Sequence, residues 1–110
     1  MKRGDIYVAA TGSGFGSKPR PVLIVQGDEF CDMSKILVAP IGSPVDLPED
    51  VRVAVAPDAG NGLKAPSEVM IDTIMPVRTN QFGLHLGVLA DTDLKRVERA
   101  LLIFLGFAHT

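Results

Sequence analysis

Short apolar runs, broken by Gly, Pro and Asp, set the rhythm of the chain until its final segment, where the period changes. Ile6 to Ala10 reads as a short strand. Thr11 to Lys18 is rich in Gly and Ser, with Gly12, Gly14 and Gly16 leaving little side chain to pack, and is expected to be a loop. Pro21 to Val25 is apolar on both faces, as a central strand is. Pro19 and Pro21 bracket Arg20 and hold it extended. Gly27 to Ser34 reads as a loop or short helical turn anchored by Phe30. Ile36 to Ile41 is a second fully apolar strand, ended by Pro40, Gly42 and Pro44. Val51, Val53 and Val55 alternate with Arg52, Ala54 and Ala56, the period of a strand with one buried face. Asn61-Gly62 is a turn signal. Val69 to Val77 is an apolar run interrupted by Asp72, and Leu84 to Leu89 reads as a short strand. From Leu94 the spacing becomes helical: Leu94, Val97, Leu101, Phe104 and Leu105 share a stripe. Asp91 is the expected N-cap, Asp93 adds favourable charge to the first turn, and Gly106 is the expected C-cap. Leu102 and Ile103 widen the stripe beyond one core face, as for a helix end covered from two sides. Five or more short strands and one terminal helix predict a small, mainly β barrel closed by a helix.

Length changes this picture little. The 110 residues suit a single domain over 1–110, and 46% hydrophobic with 22% charged residues is a globular balance. No apolar run approaches the length of a membrane span, and the charged start does not read as a secretory signal, so a cytoplasmic protein is expected. One cysteine, Cys31, allows no internal disulfide. With only His85 and His109 beside it, no metal-ligand cluster is visible and no cofactor is expected. A net charge of −2 argues mildly against a nucleic-acid binder. Its distribution softens the objection: Lys2, Arg3, Lys18, Arg20 and Lys35 fall early, while Asp46, Glu49, Asp50 and Asp58 fall in the middle.

Charge inside apolar strands is the feature that points to chemistry. Arg20 opens Pro-Val-Leu-Ile-Val, and Asp72 sits within Val-Met-Ile-Asp-Thr-Ile-Met. Such charges are costly when buried alone, so they belong at strand ends, in a cleft, or paired with each other. A structural Arg–Asp clamp and an active site fit the sequence equally well. The Gly-Ser loop ahead of Arg20 lacks the Walker spacing and reads either as a plain connection or as a surface loop carrying Lys18 towards a polyanion. Ser43, after Pro-Ile-Gly, either caps a turn or touches a phosphate. His85, between two leucines, reads as a strand residue.

Taken in order, these pieces resemble the MazF/PemK family of toxins. The matching parts are Arg3-Gly4-Asp5-Ile6-Tyr7, the Gly-Ser loop, Lys18-Pro19-Arg20-Pro21-Val22-Leu23-Ile24-Val25, the Pro40-Ile41-Gly42-Ser43 strand end, Gly62-Leu63, Asp72, and a helix ending Leu102-Ile103-Phe104-Leu105-Gly106. The resemblance implies a small SH3-like barrel with a C-terminal helix and a twofold homodimer. It implies metal-independent cleavage of single-stranded RNA, and an antitoxin partner with an acidic tail. Arg20 matches the arginine at the scissile phosphate and Asp72 the family aspartate; with Ser43 they form the expected catalytic set. Asp72 is the expected base. Phe15, Ser17, Lys18 and Arg78 are the expected RNA contacts, Phe15 by stacking and the two cations through charge. Three positions depart from the family pattern. Gly42 stands where the first strand-end hydroxyl residue is usual, Met70 where some members have a second arginine, and a histidine of some members falls near Ser17. A non-catalytic toxin acting by binding, as CcdB-type toxins of this fold do, is the alternative.

Overall fold

The computed structural model describes residues 1–11 and 18–109. Among these residues seven strands and one α-helix follow in chain order: β1 (Asp5–Ala9), β2 (Arg20–Ile24), β3 (Lys35–Gly42), β4 (Arg52–Val55), β5 (Ser67–Met70), β6 (Met75–Arg78), β7 (Phe82–Val88) and α1 (Asp91–Phe104). All the strand pairs are antiparallel. The strand path is β4-β5-β3-β2-β1-β7, with β6 also on β3. The eight residues of β3 serve three neighbours. One edge pairs with β2. The other is shared, with β6 on Lys35–Val38 and β5 on Ile41–Gly42. The sheet is barrel-like without closing, because β4 and β7 end the path.

Side-chain alternation sorts the core into two layers on opposite faces of the central strands. Ile6, Leu23, Ala39, Ile41, Val53 and Val69 point to one face, where Val97 and Ala100 of α1 meet them. Ala9, Val22, Ile24, Ile36, Val38 and Val77 point to the other, covered by Tyr7, Cys31, Met75 and Phe82. This is why β2 and β3 are apolar on both faces.

Several details depart from the sequence expectation. Asp72 lies in no strand: the run from Val69 to Val77 is broken by a 3-10 turn, Ile71–Thr73, between β5 and β6. Burial of Ile71 within the turn keeps the run apolar although the chain changes direction there. Asp91 is the first helical residue; Ala90 occupies the cap position and no side chain caps it. Gly106 follows the C-cap, Leu105, at φ +85°. Phe107 N–H donates to Leu102 O at 2.8 Å and Gly106 N–H to Ile103 O at 3.0 Å, a Schellman ending that needs a left-handed residue. Phe30 is 53% exposed, so its ring is no buried anchor, and Phe104 and Leu105 leave the core stripe for solvent. Asn61-Gly62 is more than a turn. Asn61 is fully buried, accepts from the Asp58 and Leu63 amides and donates to Ala56 O, fastening the long β4–β5 connection against β7.

Candidate active site

The register of three strand pairs builds the site. β2 and β3 pair Val22 with Pro40. Continued by two residues, that register sets Arg20 opposite Gly42. Gly42 pairs with Glu68 of β5, and Glu68 with Ala54 of β4; two residue pairs along, Met70 faces Arg52. Alternation places Arg20, Gly42, Glu68, Met70 and Arg52 on the face opposite α1. The lower half of that face is the apolar layer of Val22, Ile24, Ile36 and Val38. Its upper half carries the charges. Arg20, Gly42, Met70 and Arg52 are half-buried there, and Ser43 is exposed just beyond the end of β3.

Arg20 and Asp72 do not form the pair that the sequence suggested. Asp72 is held by Arg52, whose Nε donates to Oδ1 at 2.9 Å and Nη2 to Oδ2 at 3.3 Å. The Arg52 hydrogen bond is the main reason that the Asp72 carboxyl lies below its ordinary value. An ionised carboxylate gripped on both oxygens is a poor proton acceptor. The Thr73 hydroxyl adds a bond to Oδ1 at 3.3 Å.

Two further groups shape the face. Glu68 is 7% exposed and accepts the Val45 amide at 2.8 Å, tying the segment after Ser43 to β5. At Gly42 an added Cβ would stand 3.3 Å from Met70 Sδ. Two of the three positions at which this sequence departs from the toxin pattern are therefore neighbours, and the thioether stands over the glycine.

The remaining expected residues divide. Lys18 is exposed and leads into β2, so it flanks Arg20. Phe15 and Ser17 lie outside the described residues. Arg78 is at the other end of β3, paired with Lys35, about 23 Å along the strand from Gly42 at about 3.3 Å per residue. It belongs to a separate patch, with Ser34, Thr79 and Asn80. The early cations do not form one stripe, since Arg3 turns to Glu98 and the Val25 carbonyl. Burial, its largest influence, pushes the Cys31 thiol up, which suits an inert residue. His85 packs edge-on against Tyr7, with Nε2 3.6 Å from Asp5 Oδ1. Among the described residues no group of three or more His, Cys, Asp or Glu side chains could hold a metal ion.

Residues 2–105 match the family described as the PemK-like, MazF-like toxin of type II toxin-antitoxin systems. The chain belongs to the PemK/MazF toxin family. A probable endoribonuclease MazF of Mycolicibacterium smegmatis is 42% identical over 109 residues, covering 98% of this chain and 99% of that protein. Among solved structures, an endoribonuclease in complex with its cognate antitoxin, from mycobacterial species, superposes with a TM-score of 0.83 at 20% identity, over 100% of this chain and 99% of the other. The Mycobacterium tuberculosis toxin MazF-mt6 gives 0.78 at 26% identity, over 94% and 98%. The mainly β fold expected from the sequence is thus that of MazF toxins.

Within this PemK/MazF-family chain, sequence reasoning missed Arg52 and Glu68. Arg52 sits on the polar phase of an alternating strand, where a solvated cation is the ordinary expectation. Glu68 had one signal, a carboxylate between Ser67 and the apolar Val69, but its burial depends on the loop from Ser43 folding back over β5.

Proposed function

We propose that this toxin is a metal-independent endoribonuclease cutting single-stranded RNA, with Arg20 at the scissile phosphate and Ser43 positioning it. The observation that supports this best is the β2–β3 register, which, continued by two residues, sets Arg20 opposite Gly42, next in sequence to the exposed Ser43. The ribose 2′-oxygen attacks the adjacent phosphorus, its proton passing to a base. The bond from phosphorus to the 5′-oxygen breaks, and that oxygen takes up a proton. The products are a cyclic phosphate and a 5′-hydroxyl. Negative charge gathers on the non-bridging oxygens during attack, and the planar fork of Arg20 meets it without a change of protonation. The half-buried setting of Arg20 strengthens that interaction over one in bulk water. Lys18 adds backbone attraction on the same side. Asp72 stays in the proposed site in a different role from that of base, argued below.

The partners follow the same reading. A cognate antitoxin binds this toxin, as one does the mycobacterial endoribonuclease whose structure it shares. The toxin pairs as a homodimer through the end of α1, where Leu102, Leu105 and Phe107 are 49%, 52% and 79% exposed. No helix among the described residues is long and apolar enough to cross a membrane, and a cytoplasmic setting suits a toxin acting on RNA. The binding-only alternative gains no support from the relatives reported above.

The test is cleavage of mixed-sequence single-stranded RNA in EDTA, comparing wild type with Arg20→Ala. Wild type should release fragments with 5′-hydroxyl ends, and the variant should lose about 100-fold or more in rate. A well-folded wild type that leaves varied RNAs intact would move the assignment to the binding-only toxin.

A further inference from the structure

Arg52 is a cation on this face that the reaction above leaves unused. Its side chain is only 13% exposed, yet it lies on the same face as Arg20. One edge of its guanidinium, Nε with Nη2, is bound by Asp72. Nη1, at the other edge, makes no hydrogen bond among the described residues. A guanidinium carries five donors in a rigid plane, so fixing one edge on a carboxylate aims the other.

The place of that open edge gives it a ligand. Three interstrand steps separate Arg52 from Arg20, about 15 Å between backbones. Between them lie Gly42, Met70 and the buried Glu68, and no cation. A single nucleic-acid strand laid across β2, β3, β5 and β4 would meet an arginine at each margin. Between the arginines, the half-exposed Met70 offers a soft apolar surface to a base.

We propose that Arg52 contacts an RNA phosphate beyond the scissile one, and that Asp72 is a positioning residue that holds Arg52 rather than the catalytic base. This rests on the ribonuclease reading above. Asp72 keeps the guanidinium in one orientation, so little ordering remains to be lost when the phosphate arrives. It acts through Arg52 and takes no proton from the substrate.

The test uses a labelled single-stranded RNA with 2′-O-methyl groups throughout, which lacks the attacking hydroxyl and is not cut. Anisotropy titrations over a range of salt compare wild type, Arg52→Gln, Arg52→Lys and Asp72→Asn. Steady-state cleavage of the unmodified RNA runs in parallel, and circular dichroism checks each fold. Arg52→Gln should weaken binding about tenfold and lower the slope of log K against log salt by about 0.7. In cleavage it should raise KM and leave kcat within about twofold. Arg52→Lys should keep the slope, because the charge stays. Asp72→Asn should bind as tightly or more tightly, because a negative charge leaves while an acceptor oxygen remains.

Unchanged affinity and slope in folded Arg52→Gln would reduce the pair to a structural clamp and overturn the proposal. A fall in kcat of about 100-fold for Asp72→Asn at unchanged affinity would make Asp72 a proton-transfer group and overturn its positioning role. Wild type that neither binds nor cuts RNA would bring down the ribonuclease reading and this proposal together. Wild type that cuts while Arg52→Gln behaves identically would bring down this proposal alone.

Discussion

At Gly42 the neighbour of an added side chain is the far end of a flexible one, Met70 Sδ at 3.3 Å. Methionine yields to such intrusions by rotating away. Gly42→Thr should therefore fold, with a stability loss of no more than about 1 kcal/mol. It should also raise the cleavage rate several-fold, since a second hydroxyl then stands beside Arg20; initial rates and a urea melt check both statements. Gly62 is the opposite case. A Cβ there would lie 2.3 Å from the Leu86 carbonyl oxygen, and its φ of +71° is strained for any L side chain. Gly62→Ala should lose more than about 2 kcal/mol in the same melt. Asp72 adds a pH dependence of known sign. Its carboxyl is held below the ordinary value of 3.8, chiefly by the Arg52 hydrogen bond. A lowered folded-state pKa means that the stability it contributes is complete above the unfolded value and is lost as pH falls through the folded one. Wild type should exceed Asp72→Ala in stability at neutral pH, and the difference should shrink below about pH 4. A gap that stays constant into strong acid would show that the pair contributes nothing through charge.

The segment from Ser43 to Asp50 has no regular structure, so its position depends on ties to the elements beneath it. One tie is the Val45 amide on Glu68 of β5. Another is Glu49, whose carboxylate meets Arg96 of α1; Arg96 also donates to the Ala54 carbonyl of β4 at 2.9 Å and to Asp93 at 3.0 Å. Glu68→Leu removes the first acceptor and should admit protease cleavage between residues 43 and 50, with slower RNA cleavage because Ser43 is no longer held. Glu68→Gln keeps an acceptor oxygen and should behave as wild type in both assays. A defect in Glu68→Gln equal to that of Glu68→Leu would mean that the charge, and not the hydrogen bond, is what matters. Legibility in the sequence also divides at this scale. Strand positions were readable because alternation and doubly apolar runs report burial directly, as in Pro21–Val25 and Ile36–Ile41. The 3-10 turn at Ile71–Thr73 was not, since its buried isoleucine continues the hydrophobic run across the bend. The partner of Asp72 was hidden for a related reason. Pairing Arg52 with Met70 is a property of β4–β5 register, set by a long connection whose fastening by Asn61 has no local signature beyond Asn-Gly. Arg20 stood out because two prolines and an apolar strand surround it, and it opens β2 half-buried.

Across the whole molecule, the two apolar layers consume most strand faces, and a hydrophobic area remains at the surface at the end of α1. Leu102, Leu105 and Phe107, exposed at the end of α1, border a groove with Val25, Leu37 and Ile74. The Schellman ending presents this area, because Phe107 folds back over the last turn through its bond to Leu102 O. A twofold partner would cover the same groove on each chain with the same residues of the other, the self-complementary arrangement that cyclic dimers use. The surface charges nearest to it are Arg3 and Glu98, already paired with each other at 3.4 Å, so covering the groove strands neither charge. Wild type should therefore show twice the chain mass in light scattering at micromolar concentration. Leu105→Asp should show the single-chain mass with an unchanged circular dichroism spectrum, since Leu105 already stands outside the core. Buried carboxylates facing each other across the twofold axis would repel and lack partners, which is why one substitution should suffice. A dimeric mass for both proteins would move the interface to another surface, and a monomeric mass for both would leave the groove open to the antitoxin alone.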